Sequence, residues 1–338
     1  MSENNLRAEI IGVGSYVPPR AVTNFDLEKL LDTNDEWIQQ RTGIVERHWV
    51  EGNVSTTDLA LEAAKEAIAS AGIDKSELDC IIFATLSPDH DFPGNGCFLQ
   101  AKLDIPGIPA FDIRQQCSGF IYGLSMANAF IKTGQYKNIL LVGGEIHSKG
   151  LNKTPAGRDV AVLFGDGAGA CVISAKTGEG TGDLIRHDLH ADGSYAKELW
   201  LSAPGTAIAP DERLTKEMLD ENLHYPFMNG RQVFMHAVKK MSESLTNTLK
   251  AEGKTVADVD LFLFHQANMR INDKVGEILG IPADKVFNTI QKYGNTTAAT
   301  LPIGMSDAVK AGKLEKGMLV GMAAFGSGFT WGSSLMRY

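Results

Sequence analysis

The stretch "AGIDKSELDCIIFATL" (residues 71–86) is echoed 181 positions later by "EGKTVADVDLFLFHQA" (252–267), with Gly72 over Gly253 and Asp79 over Asp260. In each copy a glycine ends a helical pattern, a short polar turn follows, and an apolar run reads as a buried strand. A second pair, "QYKNILLVGGE" (135–145) and "LEKGMLVGMAAF" (314–325), aligns at an offset near 179. Self-similarity at so long a period predicts two related halves of about 170 residues, 1–180 and 181–338.

Other short apolar runs, such as "GACVISA" (169–175), alternate with helical patterns, which predicts an α/β fold with buried strands. In "STTDLALEAAKEAIASAG" (55–72), Ser55 and Asp58 have capping-box spacing and Gly72 is the stop signal. The chain has 338 residues, 43% hydrophobic and 22% charged, the balance of a globular protein with a sizeable core. The polar start and the lack of any apolar run near about 18 residues predict a cytoplasmic protein that does not span a membrane. A net charge of -9 argues against a nucleic-acid footprint. Cys80, Cys97, Cys117 and Cys171 are scattered, which indicates free thiols and no metal site.

Applied to Cys117 in "FDIRQQCSGFIYGL" (111–124), the offset points to residues 296–298 in "KYGNTTAATLPIGM" (292–305), another polar turn opening a helix. His265 follows the second-half strand "LFLF". Strand ends beside helix starts are where α/β folds place ligands, so the pseudo-twofold brings Cys117, His265 and Asn295 toward one crevice. A cysteine in the first turn of a buried helix is expected to favour the thiolate. "GVGS" (12–15) and "GDGAGA" (165–170) lack a full dinucleotide fingerprint, "GLSMA" (123–127) falls mid-helix, and His187 with His190 makes no supported metal pair.

"HQANMRI" (265–271), "YGNTTAAT" (293–300), "LHADGS" (189–194), "DTNDEWIQQRTGI" (32–44), "IIGVGSYVPP" (10–19) and "AFGSGFTWGSSLMRY" (324–338) run in order along the chain. In these motifs the chain closely resembles β-ketoacyl-acyl-carrier-protein synthase III, a thiolase-fold condensing enzyme, from about residue 8 to residue 338. The resemblance implies two pseudo-symmetric halves in a five-layer αβαβα arrangement. It also implies that Cys117 takes an acyl group from coenzyme A. His265 and Asn295 then stabilise the enolate from decarboxylating malonyl-acyl carrier protein, which attacks the acyl-enzyme and starts fatty-acid synthesis.

The resemblance further implies coenzyme A contacts at Trp37, Arg41 and Arg158, and a pantetheine tunnel past Phe234 and Asn268. It places an oxyanion donor in the loop holding Ser327, where a glycine is usual. Phe92 would enter the acyl pocket of the other subunit of a homodimer, and Arg270 would dock the carrier protein. Glu277 stands where a lysine is common, with Lys239, Lys240 and Lys274 as substitutes. No metal, flavin or nicotinamide cofactor is expected. Gln115 and Gln116 replace small residues, and the connection 203–226 is longer than usual. Both motivate an alternative, a condensing enzyme of secondary metabolism joining longer or unusual acyl chains. A non-catalytic partner subunit is the remaining reading, and the intact Cys117, His265 and Asn295 set speaks against it.

Overall fold

Gly72 and Gly253 both take left-handed backbone angles, φ 67° and 61°, which glycine adopts without a Cβ penalty. Each is followed by a single 3-10 turn, Lys75–Glu77 or Val256–Asp258, and then by a strand. The matched aspartates have matched work. Asp79 accepts the backbone N–H groups of Lys137 and Asn138 at 2.8 and 3.1 Å, and Asp260 accepts that of Leu319 at 2.8 Å. Each carboxylate therefore stitches its strand to the start of the next. The structure, a computed structural model, describes residues 6–178, 180–209 and 211–338. The polar start at 1–5 lies outside the described residues, as do position 179 beside the expected boundary and position 210 in the long connection.

The first half contributes β1 (Leu6–Tyr16), α1 (Asp35–Thr42), α2 (Thr56–Ala71), β2 (Cys80–Ala84), β3 (Ala110–Ile113), α3 (Gly119–Lys132), β4 (Asn138–Glu145) and β5 (Gly167–Thr177). The second contributes β6 (Asp183–Ala191), α4 (Gly230–Ala251), β7 (Leu261–Phe264), α5 (Met269–Leu279), α6 (Thr300–Lys310), β8 (Leu319–Gly326) and β9 (Thr330–Arg337). The first sheet runs β1-β5-β4-β2-β3 and the second β7-β8-β9-β6. In both, a parallel pair (β2 with β4, β7 with β8) continues into antiparallel neighbours. Among the described residues the second half has an isolated parallel bridge from Phe262 to Val286 in place of a strand matching β3. The strands β4 and β8 start 181 residues apart, so one offset relates both motif pairs, and the offset near 179 is corrected to that value.

Alternation along the strands assigns the layers. Phe83, Leu140 and Val142 face α2 on the outside of the first sheet. Ile82, Leu141, Leu263 and Met322 face inward onto α3 and α6, which lie between the sheets. Phe262 and Phe264 face α4 and α5 outside the second sheet. This is the five-layer αβαβα order, and each fully enclosed aromatic contributes about 1.5–3 kcal/mol of burial. The Ser55–Asp58 capping box forms as expected. In "GVGS", a Cβ on Gly12 or Gly14 would sit 2.4 Å from the carbonyl oxygens of Ala67 or Ala63, so these glycines let β1 pack on α2.

Candidate active site

Cys117 sits where β3 gives way to α3, on the 3-10 turn Gln116–Ser118. Gln116 holds φ 43°, a costly angle for a residue with a side chain, immediately before the buried Cys117. The loop after β8 closes over it. A Cβ on Gly326 would fall 2.6 Å from that of Cys117 and 2.9 Å from its Sγ, so only glycine fits there. The thiol was expected to ionise easily, and the structure reverses that. Burial, with the Glu145 carboxylate adding to it, pushes Cys117 up to about 12, while the backbone N–H groups of Cys117 and Ser327 pull the other way. Desolvation thus outweighs the helix terminus.

His265 follows β7 and is buried. Its Nδ1 lies 2.7 Å from Thr300 Oγ1, and its Nε2 is buried with no hydrogen-bond partner among the described residues. Burial lowers the ring to about 3, so it is neutral at ordinary pH. Gln266 holds the neighbouring turn, its Oε1 accepting from the N–H groups of Thr289 and Ile290 at 3.0 Å each. Asn295 is fixed on both sides, its N–H donating to the Leu163 carbonyl and its own carbonyl accepting from Gly165. Its Oδ1 accepts the Thr297 N–H at 2.8 Å, which leaves the amide Nδ2 as the outward donor.

A cavity of about 580 Å³ has Cys117, His265 and Asn295 on its wall, together with Trp37, Arg41, Arg158, Phe234, Asn268 and Arg270. Trp37 has two cations against its ring, the Arg41 and Arg158 guanidinium carbons lying 5.1 and 4.7 Å from the ring centre. Arg158 also bonds Asp159 at 3.0 Å and the Asp32 carbonyl at 3.1 Å. Asn268 caps α5 and donates to the Arg41 carbonyl at 2.9 Å, so its amide is already engaged. Arg270 lies 5.8 Å from the Phe234 ring at the outer wall.

Other singled-out residues lie elsewhere. Ser327 stands off the cavity wall, its hydroxyl donating to the Leu199 carbonyl. Phe92 is 83% exposed. Lys239 and Lys240 reach Glu243, and Lys274 pairs with Glu277 at 2.7 Å. Gln115, Gln116 and the described residues of the 203–226 connection are not among the residues that line this cavity. The connection instead ties to the Phe92 loop, through Arg213 and Asp91 at 2.6 Å.

Five contributors were not anticipated. Arg231, on the first turn of α4, adds a further cation to the wall. Thr297 and Thr300 hold Asn295 and His265, and their three-residue spacing on a turn was the available signal. His147 crosses from the first half, its Nε2 lying 2.7 Å from Thr297 Oγ1 and its ring against Phe164. Glu145 is buried, accepting from Thr85, Leu86 and Ser87, and burial raises it to about 7. Among the described residues no cluster of metal-ligating side chains occurs, and no helix is long and apolar enough to cross a membrane.

A neutral thiol, the Asn295 amide and the His265 imidazole on the wall of one cation-lined cavity suit acyl transfer through a covalent intermediate. Residues 111–193 match the family model described as 3-oxoacyl-[acyl-carrier-protein (ACP)] synthase III, and 249–338 match its C-terminal model. The chain is 43% identical to the beta-ketoacyl-[acyl-carrier-protein] synthase III of Koribacter versatilis, over 98% of each chain. It superposes on the crystal structure of the 3-oxoacyl-[acyl-carrier-protein] synthase III of Aquifex aeolicus with a TM-score of 0.89, at 43% identity, covering 98% of this chain and 100% of that one. The priming beta-ketosynthase of the R1128 polyketide pathway is 28% identical with a TM-score of 0.87, covering 98% and 96%.

Proposed function

The chain belongs to the 3-oxoacyl-[acyl-carrier-protein] synthase III family of thiolase-fold condensing enzymes, and from that premise we propose how its residues divide the reaction. Cys117 attacks the thioester of a short acyl-coenzyme A, and the thiol proton ends on the departing coenzyme A sulfur, so thiol plus thioester gives thioester plus thiol. Malonyl-acyl carrier protein then enters. Its carbon–carboxylate bond breaks, carbon dioxide leaves, and the electron pair moves onto the thioester oxygen, facing Asn295 Nδ2 and His265 Nε2. The enolate carbon attacks the acyl-cysteine carbonyl. The N–H groups of Cys117 and Ser327 meet the resulting oxyanion, and collapse releases 3-oxoacyl carrier protein and the Cys117 thiolate, which regains a proton.

One observation carries this reading: Cys117 from the first half and His265 and Asn295 from the second share a wall with the cation-flanked Trp37. Trp37, Arg41 and Arg158 suit an adenine ring and phosphates, and Phe234 and Asn268 line the way inward. Arg270 suits an acidic carrier protein. Decarboxylation supplies the driving force, so the chemistry uses coenzyme A as a substrate and calls for no metal or redox cofactor. The exposed Phe92 fits a homodimer in which it closes the other subunit's acyl pocket. A cytoplasmic location goes with these substrates. Turnover of an acyl-coenzyme A series with malonyl-acyl carrier protein tests the reading. A preference for primers beyond about eight carbons would instead support the secondary-metabolism alternative.

A further inference from the structure

One hydroxyl hydrogen faces two acceptors beside the donor pair. Thr300 Oγ1 lies 2.7 Å from His265 Nδ1 and 2.9 Å from the carbonyl oxygen of Thr297. A threonine hydroxyl has a single hydrogen, and a carbonyl only accepts. With the hydroxyl turned to Thr297, Nδ1 must hold the ring hydrogen and donate to Oγ1, which leaves Nε2 a bare lone pair. With the hydroxyl turned to Nδ1, the ring hydrogen resides on Nε2. The Thr297 carbonyl is not orphaned by that turn, because the Thr300 backbone N–H also donates to it.

These two arrangements give His265 opposite chemistry at Nε2, which is buried with no partner among the described residues. Burial keeps the ring neutral, so the tautomer decides what Nε2 can do. Only the second arrangement supplies the N–H that an enolate oxygen needs.

We propose that Thr300 is the positioning residue that selects the His265 tautomer, its hydroxyl turning from the Thr297 carbonyl to Nδ1 when Nε2 must donate to the enolate. The ring gives its Nδ1 proton to solvent water and takes one from water at Nε2, so water carries the proton and no net proton or electron is exchanged. The inference rests on the condensing role given above to His265.

The test uses the full-length protein and its Thr300→Val and Thr300→Ser variants. Acyl adduct on Cys117 is followed by intact mass, and carbon dioxide release from malonyl-acyl carrier protein is followed separately. Thr300→Val is expected to acylate within about 3-fold of the parent and to condense some 10- to 100-fold more slowly, with Thr300→Ser restoring most of the loss. Nitrogen-15 spectra of labelled histidine are expected to show hydrogen on Nδ1 in the free protein and on Nε2 with a non-hydrolysable malonyl thioester bound, a change absent in Thr300→Val. The proposal is overturned if Thr300→Val condenses at the parental rate, if acylation falls as far as condensation, or if the parent's tautomer does not change. A parent that forms neither adduct nor product would overturn the condensing reading itself. A parent that turns over alongside an equally active Thr300→Val would remove only the role of Thr300.

Discussion

Gln116 and Thr297 stand 181 residues apart, and both hold a left-handed backbone, φ 43° and 50°. Each lies on the one-turn step that leads into a central helix, α3 or α6. A β-branched side chain is penalised most at such angles. Gln116→Val is therefore expected to destabilise the fold by about 1–2 kcal/mol, whereas Gln116→Gly should fall within about 1 kcal/mol of the parent. Equal denaturant midpoints for the two variants would remove the strain argument.

The two chemical steps should separate by residue. Cys117→Ala is expected to abolish the acyl adduct. His265→Ala and Asn295→Ala are expected to leave acylation measurable and to slow condensation by about 100-fold or more. Intact-mass and carbon dioxide assays read the steps independently. Equal loss of both steps in all three variants would contradict the division of roles.

Burial places the Cys117 thiol near 12. Alkylation of the free protein by iodoacetamide is thus expected to rise about tenfold per pH unit from pH 6 to 9. A plateau near neutral pH would show that the thiolate is already formed there.

Glu145 is raised from its ordinary 4.5 to about 7. An acid whose folded pKa is raised holds more protons folded than unfolded between those values, so it makes stability fall as pH rises from about 4.5 through 7. The effect amounts to about 3 kcal/mol at most. His265, lowered from 6.5 to about 3, acts oppositely, its contribution growing as pH rises between those values. Comparing Glu145→Gln with the parent isolates the carboxylate. The stability difference should shift in favour of the variant by up to that amount between pH 5 and 8, as read by denaturant melts. A pH-independent difference would place the carboxyl's titration elsewhere.

The cations beside Trp37 are not equivalent. Arg158 is tethered to Asp159 and to the Asp32 carbonyl, whereas the Arg41 guanidinium makes its contact with the Trp37 ring. Arg41→Ala should therefore raise KM for acyl-coenzyme A about 5- to 20-fold with little change in kcat, and Arg158→Ala should also loosen the segment around Asp32. Steady-state kinetics with proteolysis of the apo-protein distinguish the two effects.

Much of the architecture was readable before the structure because repetition leaves local marks. Gly72 with Gly253 and Asp79 with Asp260 are fixed by backbone angle and by strand stitching, both of which act over short chain distances. Cys117, His265 and Asn295 were reachable by adding the offset and the motif order. The thiol's protonation was not, because desolvation depends on everything folded around it, down to the carboxylate of Glu145. His147 was invisible for a related reason: its partner Thr297 lies 150 positions away, in the other half. Gln115 and Gln116 adjoin Cys117 in the chain, but their side chains are not part of the cavity lining.

The repeat also explains why a scaffold built twice holds one reaction chamber. Moved by 181 positions, Cys117 falls on Ala298, while His265 and Asn295 fall on Ala84 and Arg114. Ala84 and Ala298 are both buried and pack against Gly119, at the seam between the halves. Each half thus supplies what its mirror position lacks, and two of the mirror positions, Ala84 and Ala298, pack against Gly119 of a central helix while the third, Arg114, is exposed. Restoring any single one of these residues to its counterpart would not create a second centre, because a working set needs contributions from both halves at once.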